Sequence, residues 1–205
     1  MVFDKEASFE EAVITVLKQH GWDDAGGVLR YPTEQDLIDN WAKILFQNNA
    51  DIDRLNGCPL TQGEMAQVIE QIETLKTPLA LNGFINGKTV AVTRDNPDDV
   101  LHLGKEVSLK IYDRQEIAAG QSRYQIAQQP VYPAKSKILN DRRGDLCLLI
   151  NGMPVIHIEL KRSGIPVSQA TGQIEKYAHE GVFTGLFRLC LLYTSPSPRD
   201  PKTSR

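Results

Sequence analysis

"RRGDLCLLINGMPVIHIELKRSG", residues 142–164, sets two apolar runs around an Asn-Gly pair, and its folding decides how the rest of the chain is read. Asn-Gly between such runs predicts a β-hairpin, because both residues tolerate the positive φ of its tight turn. Side chains alternate along a strand, so His157, Glu159 and Lys161 share one face, and Ile156, Ile158 and Leu160 the other. The apolar row is expected in a core and the polar row towards water or a cleft. Alone, Glu-x-Lys at a strand end is what many half-buried strands show. Asp145, at the start of the first strand, changes the weighing, since the hairpin folds it back beside residues 158 and 159. A strict two-residue turn pairs Ile150 with Met153 and therefore Asp145 with Ile158, leaving Asp145 and Glu159 on opposite faces. A three-residue turn with Pro154 opening the second strand, or a single bulge, brings them onto one face. A one-residue register break is therefore expected.

Two carboxylates side by side repel, and a shared proton or a divalent cation relieves them. Oxygen ligands with open positions suit Mg²⁺, which keeps waters and accepts one or two carboxylates. Asp145 and Glu159 are the candidate metal ligands, with the carbonyl of Leu160 as a third. Lys161 on the same face can steady an attacking water or the charge growing on a phosphate. This is the apparatus of metal-assisted phosphodiester hydrolysis. Downstream, Gln169, Gln173 and Tyr177 fall at i, i+4 and i+8 of a predicted helix over residues 168–179. The stripe reads either as a wet helix face or as an edge that bonds catalytic residues or a DNA backbone.

The chain before this hairpin supplies the layers around it. Ser8 and Glu11 form a capping-box pattern ahead of an apolar stripe that closes at Gly21, Pro32-Thr33 opens a second helix carrying Leu37, Trp41 and Leu45, and Thr61-Gln62-Gly63-Glu64 caps a third reaching about Lys76. Short alternating runs at 89–94, 107–113 and 124–132 predict strands, and an apolar run at 186–193 predicts a last one. Helices, strands, a hairpin, a helix and a strand make a mixed α/β domain. Gly87-Lys88-Thr89 imitates the end of a phosphate-binding loop. The glycine such a loop needs at 82 is Asn, and a strand pattern follows where a helix N-terminus is required.

The bulk numbers narrow the class. The 205 residues are 41% hydrophobic and 24% charged, enough for one good-sized core. A net charge of −3 provides no global field for nucleic acid, so DNA binding needs a local basic cluster, which Arg142, Arg143, Lys161 and Arg162 supply. Cys58, Cys147 and Cys190 are odd in number and widely spaced, as in a reduced cytoplasmic protein rather than a disulfide frame or zinc site. No segment reaches the apolar length of a membrane span. Residues 194–205 carry no apolar side chain, are expected to be disordered, and resemble a foreign tail found on translations of assembled environmental DNA.

Together, "RGDLCLLINGMPVIHIELK" and "GQIEKY" resemble the N-terminal nuclease domain of the R (restriction) subunit of type I restriction-modification enzymes, in the PD-(D/E)xK nuclease superfamily. The matching parts are Asp145, Asn151-Gly152-Met153-Pro154, Glu159-Leu160-Lys161 and Gln173 to Tyr177. An opening helix, FEEAVITVLKQHGW, supplies a glutamate, with Glu10 the better match. The one departure is Gly144, where the family usually has Pro before the aspartate. The resemblance implies a restriction-endonuclease-like core over residues 1–193, with a mixed central β-sheet flanked by helices and a helical insert at about 33–76. It implies catalytic roles for Asp145, Glu159, Lys161 and Glu10, and DNA positioning by Gln173, Tyr177 and the arginines. It also implies Mg²⁺ as cofactor, double-stranded DNA as substrate, and methylation and specificity subunits as partners. R subunits carry an ATP-driven translocase, which is absent from this chain, so ATP is a cofactor of the full-length enzyme only. Two alternatives remain open at this level: a noncatalytic nuclease-like docking module, and the nuclease domain of a type III restriction or repair enzyme.

Overall fold

Asn151 and Gly152 both adopt left-handed backbone, with φ of 51° and 86°, which is the two-residue hairpin turn that Asn-Gly favours. The turn joins β7 (Leu146–Ile150) to β8 (Met153–Glu159), and Ile150 pairs with Met153 as a strict two-residue turn requires. The register then breaks. Leu149 pairs with Pro154, but Leu148 pairs with Ile156, so Val155 is an extra residue on β8. Beyond this bulge Cys147 faces His157 and Leu146 faces Ile158, and one further step sets Asp145 opposite Glu159. Of the two expected routes the bulge is used, and Pro154, which has no N–H to give, sits beside it.

This computed structural model describes residues 6–23, 27–75, 89–111, 122–133, 141–161, 165–188 and 190–194. Before the hairpin come α1 (Glu6–Gln19), β1 (Leu29–Arg30), α2 (Glu34–Asn48), α3 (Gln62–Glu73), β2 (Thr89–Thr93), β3 (Glu106–Lys110), β4 (Tyr124–Gln128), β5 (Val131–Tyr132) and β6 (Arg142–Arg143). After it come α4 (Val167–His179), a 3₁₀ turn (Gly185–Phe187) and β9 (Leu191–Thr194). The central sheet has the order β1-β4-β7-β8-β9, with β4, β7 and β8 antiparallel and the outer two strands parallel to their neighbours. It is a mixed α/β fold of the restriction-endonuclease-like type.

Both faces of the sheet are covered. On one, Ile14 of α1 packs against Ile126, Leu146, Leu148, Ile158 and Leu160. On the other, Leu37, Trp41 and Leu45 of α2, Met65, Val68 and Ile72 of α3, and the β2–β3 pair meet Cys147, Leu149 and Met153. Double coverage explains why LCLLI is apolar throughout rather than alternating. Of the row expected to face water or a cleft, His157 and Glu159 do not face water: they point to the larger core and are wholly inaccessible.

Helices α2 and α3 start as expected. Thr33 with Asp36, and Thr61 with Glu64, each close both halves of a capping box. Ser8 does not cap α1, since the helix is already formed at Glu6. Helix α3 ends at Glu73, its exit tightened by Leu75 N–H donating to Ile72, and Lys76 lies outside the described residues. The run at 186–193 is not one strand. Gly185 at φ 55° turns Leu186 and Phe187 into the core, and β9 begins only at Leu191 and extends to Thr194. Gly87, Lys88 and residues 195–205 also lie outside the described residues; Thr89 opens a strand. Arg94, inaccessible to solvent, bridges Glu64 at 2.6 Å and Asp99 at 3.0 Å, tying the end of β2 to α3. No described helix is long and apolar enough to cross a membrane.

Candidate active site

Asp145 stands in the short link between β6 and β7, and three contacts hold the backbone from Arg143 to Asp145. Gln129 N–H donates to its carbonyl at 2.8 Å, Gly144 N–H donates to Pro130 at 3.2 Å, and the Tyr177 hydroxyl donates to the Arg143 carbonyl at 2.9 Å. Its side chain then reaches across the hairpin end, where Oδ2 accepts Leu160 N–H at 2.6 Å. Glu159 ends β8 fully buried. Lys161 Nζ donates to its Oε1 at 3.1 Å, while its Oε2 has no hydrogen-bond partner. The bulge has brought two carboxylates and an ammonium together.

Burial, then the charge of Glu159, pushes the Asp145 carboxyl up to about 7, against the opposing pull of Leu160 N–H and Lys161. Burial works against the Lys161 charge, but attraction to Glu159, their hydrogen bond and Asp145 outweigh it, and its pKa rises. Burial also raises the Tyr177 hydroxyl, Gln173 partly offsets that, and the two carboxylates add to it.

Glu10 is buried on α1 and accepts from Gln128 Nε2 at 2.5 Å and from Gln129 Nε2 at 3.3 Å. Its charge is the weakest of the influences on the Asp145 carboxyl, which puts it within electrostatic reach of that group. Glu11 turns outwards to Arg30 at 3.1 Å, although Gln128 Nε2 also reaches it. Gln173 Nε2 donates to the Tyr177 hydroxyl at 2.8 Å, and the two act through the Arg143 carbonyl on the backbone leading into Asp145. Arg142 is engaged by Glu180 through two bonds of 2.6 and 2.8 Å. Arg143 is exposed, with its guanidinium 5.8 Å from the centre of the Tyr31 ring. Arg162 lies outside the described residues.

Sequence reasoning passed over His157, Tyr132, Gln128 and Gln129. His157 Nε2 lies 3.5 Å from Glu159 Oε2, and its Nδ1 lies 2.7 Å from the Tyr132 hydroxyl. Its place in the same alternating row as Glu159 was the available signal. Gly144 has a physical reason: a Cβ there would lie 2.5 Å from His157 Cε1 and 2.9 Å from the Tyr132 ring.

Among the described residues no group of three or more His, Cys, Asp or Glu side chains is arranged for a metal ion. The donors that the two strand ends bring together are the Asp145 and Glu159 carboxylates, hard ligands suited to Mg²⁺ rather than to a softer ion. They fit such a cation, because Glu159 Oε2 is buried without a donor and burial beside Glu159 disfavours the Asp145 anion.

The sheet and its covering helices define a restriction-endonuclease-like α/β domain, with the carboxylates at the ends of adjacent strands. The chain belongs to the family described as "Type I restriction enzyme R protein N terminus", which matches residues 4–195. Among its relatives is the type I restriction enzyme SsaAORF53P endonuclease subunit of Staphylococcus saprophyticus, 31% identical over 193 residues, covering 94% of this chain and 18% of the relative. The SauMSSORF170P endonuclease subunit of Staphylococcus aureus is 27% identical over 197 residues, with the same shares of 94% and 18%. The EcoprrI endonuclease subunit of Escherichia coli is 32% identical over 62 residues, covering 29% of this chain and 20% of the relative. The chain thus spans about a fifth of the length of these relatives.

Proposed function

We propose that this chain is the DNA-cleaving domain of a type I restriction R subunit, hydrolysing phosphodiester bonds with Mg²⁺. The observation that carries the reading is the Val155 bulge, which sets Asp145 opposite a Glu159 whose Oε2 has no partner. Asp145, Glu159 and the Leu160 carbonyl would hold the cation, which when bound supplies a polarised water and charge neutralisation at the phosphate. Asp145 keeps its oxygens aimed across the hairpin end through Leu160 N–H. Lys161, an ammonium held against Glu159, stabilises negative charge growing on the phosphate and orients the attacking water. Glu10 adds a carboxylate from α1 that Gln128 and Gln129 orient. Gln173 and Tyr177 brace the strand entry, and Arg143 is the exposed cation for the DNA backbone.

Double-stranded DNA is the substrate, and methylation and specificity subunits in the cytoplasm are the partners of the whole enzyme. ATP serves that enzyme's motor. The test is plasmid nicking by the chain, with and without Mg²⁺, beside Asp145→Ala and Lys161→Ala. The expected result is Mg²⁺-dependent nicking that each substitution lowers by about 100-fold or more, the loss expected when one charged group leaves a transition state. Equal nicking by all three proteins, or none by the wild type even with a motor subunit supplied, contradicts the reading.

A further inference from the structure

The nuclease reading leaves His157 without a role, although its Nε2 faces Glu159 Oε2. Both atoms are inaccessible, neither has a hydrogen-bond partner, and they lie 3.5 Å apart. A buried donor and acceptor left open at this distance are unusual, because burying an unsatisfied polar atom is costly. Behind the ring, Tyr132 occupies Nδ1 at 2.7 Å. Which of the two donates follows from the surroundings. The Tyr132 ring is packed edge-on against Phe187 and Phe183, and its hydroxyl has His157 Nδ1 within hydrogen-bond reach. Nε2 faces a carboxylate oxygen at 3.5 Å, where a ring lone pair would be repelled and an N–H attracted, which leaves Nδ1 to accept from the hydroxyl. A ring that accepts at Nδ1 carries its own proton on Nε2, facing Glu159. The ring can stand there only because residue 144 is Gly, since a Cβ would press to 2.5 Å from His157 Cε1.

We propose that His157 is a positioning residue for Glu159, presenting Nε2–H to Oε2 in a tautomer that Tyr132 supports and Gly144 makes room for. The inference rests on the nuclease reading and deepens it. A single N–H on one lone pair of Oε2 steers the carboxylate and leaves its remaining lone pairs for a metal. At 3.5 Å the contact is open, and such contacts commonly close when the site is loaded. Carboxylates that hold metals are themselves held by outer partners, whose loss typically lowers metal affinity by about 10–100-fold.

The test uses the 205-residue chain without DNA, titrated with MgCl₂ by calorimetry, for wild type, His157→Leu, His157→Gln and Tyr132→Phe. Imidazole ¹⁵N shifts of the wild type are recorded alongside. The expected results are a wild-type ring protonated at Nε2, and Mg²⁺ binding weakened about 10–100-fold by His157→Leu. His157→Gln, whose amide can donate from the same place, restores most of that binding, and Tyr132→Phe weakens it while lowering the tautomer preference. A wild-type ring protonated at Nδ1 overturns the proposal. So does Mg²⁺ binding unchanged in Tyr132→Phe, which keeps the ring packing and remains informative should His157→Leu fail to fold. Wild-type protein that binds no Mg²⁺ overturns the nuclease reading, and this inference falls with it. Wild-type binding and nicking with unaffected variants overturns this inference alone.

Discussion

Asp145 carries a pKa of about 7 in the folded chain, against 3.8 for a solvated aspartate, chiefly through burial and then through Glu159. Between those values the unfolded chain has released the proton while the folded chain still holds it, so stability falls as pH rises through the window. Below 3.8 the contribution is fully present, and above about 7 it is lost. Glu11, Asp36, Asp99 and Glu180 are shifted downwards and pull the overall curve the other way at acid pH. The Asp145 part is therefore read as a difference. Without divalent ions, thermal denaturation of wild type and Asp145→Asn should diverge as pH rises from 4 to 7, with wild type losing ground. Parallel curves would show that Asp145 titrates normally. Lys161 answers only part of this charge, since its nitrogen is committed to Glu159 Oε1.

At the scale of elements, the hairpin turn does more than reverse the chain. Gly152 has φ 86°, and a Cβ there would lie 2.9 Å from Trp41 Cα, so the turn is wedged against α2. Asn151 ties it to the end of β4, accepting from Arg123 N–H at 2.9 Å through its side chain. Gly152→Ala should therefore cost about 1–3 kcal/mol in urea denaturation, from backbone strain and the forced shift of α2. A neutral substitution would mean that the turn is free of α2. The turn type was legible because Asn-Gly needs no tertiary help. The bulge was legible only through chemistry: no local pattern marks Val155, yet Asp145 and Glu159 share a face only if one residue is added. Thr61 was found as a cap, and Pro32-Thr33 as a helix start, because each precedes its helix with nothing helical before it. Ser8 misled because Glu6 and Ala7 are themselves good helix formers, so the box pattern falls inside α1.

Across the whole molecule, the site draws on residues that no local window joins. Glu10 comes from α1 on one face of the sheet, while Glu159 and His157 face the larger core on the other. Glu10 reaches Asp145 through its charge, so the electrostatics of the carboxylates depend on both layers being in place. For this reason the burial of the polar row was invisible in the sequence, where His-x-Glu-x-Lys looks like a wet strand edge. Tyr132 and His157 are 25 residues apart, and only the β5–β6 pair beside the hairpin brings the hydroxyl to Nδ1. Gly185 shows the same limit, because a continuous apolar run gives no hint that the chain turns before its last strand. The central claim is that Asp145 and Glu159 share one divalent cation. Anomalous diffraction from crystals of the chain grown with Mn²⁺ tests it most directly. The account predicts one peak within about 2.0–2.6 Å of an oxygen from each carboxylate. A peak held by only one of them, or carboxylates turned to opposite faces of the sheet, would contradict it.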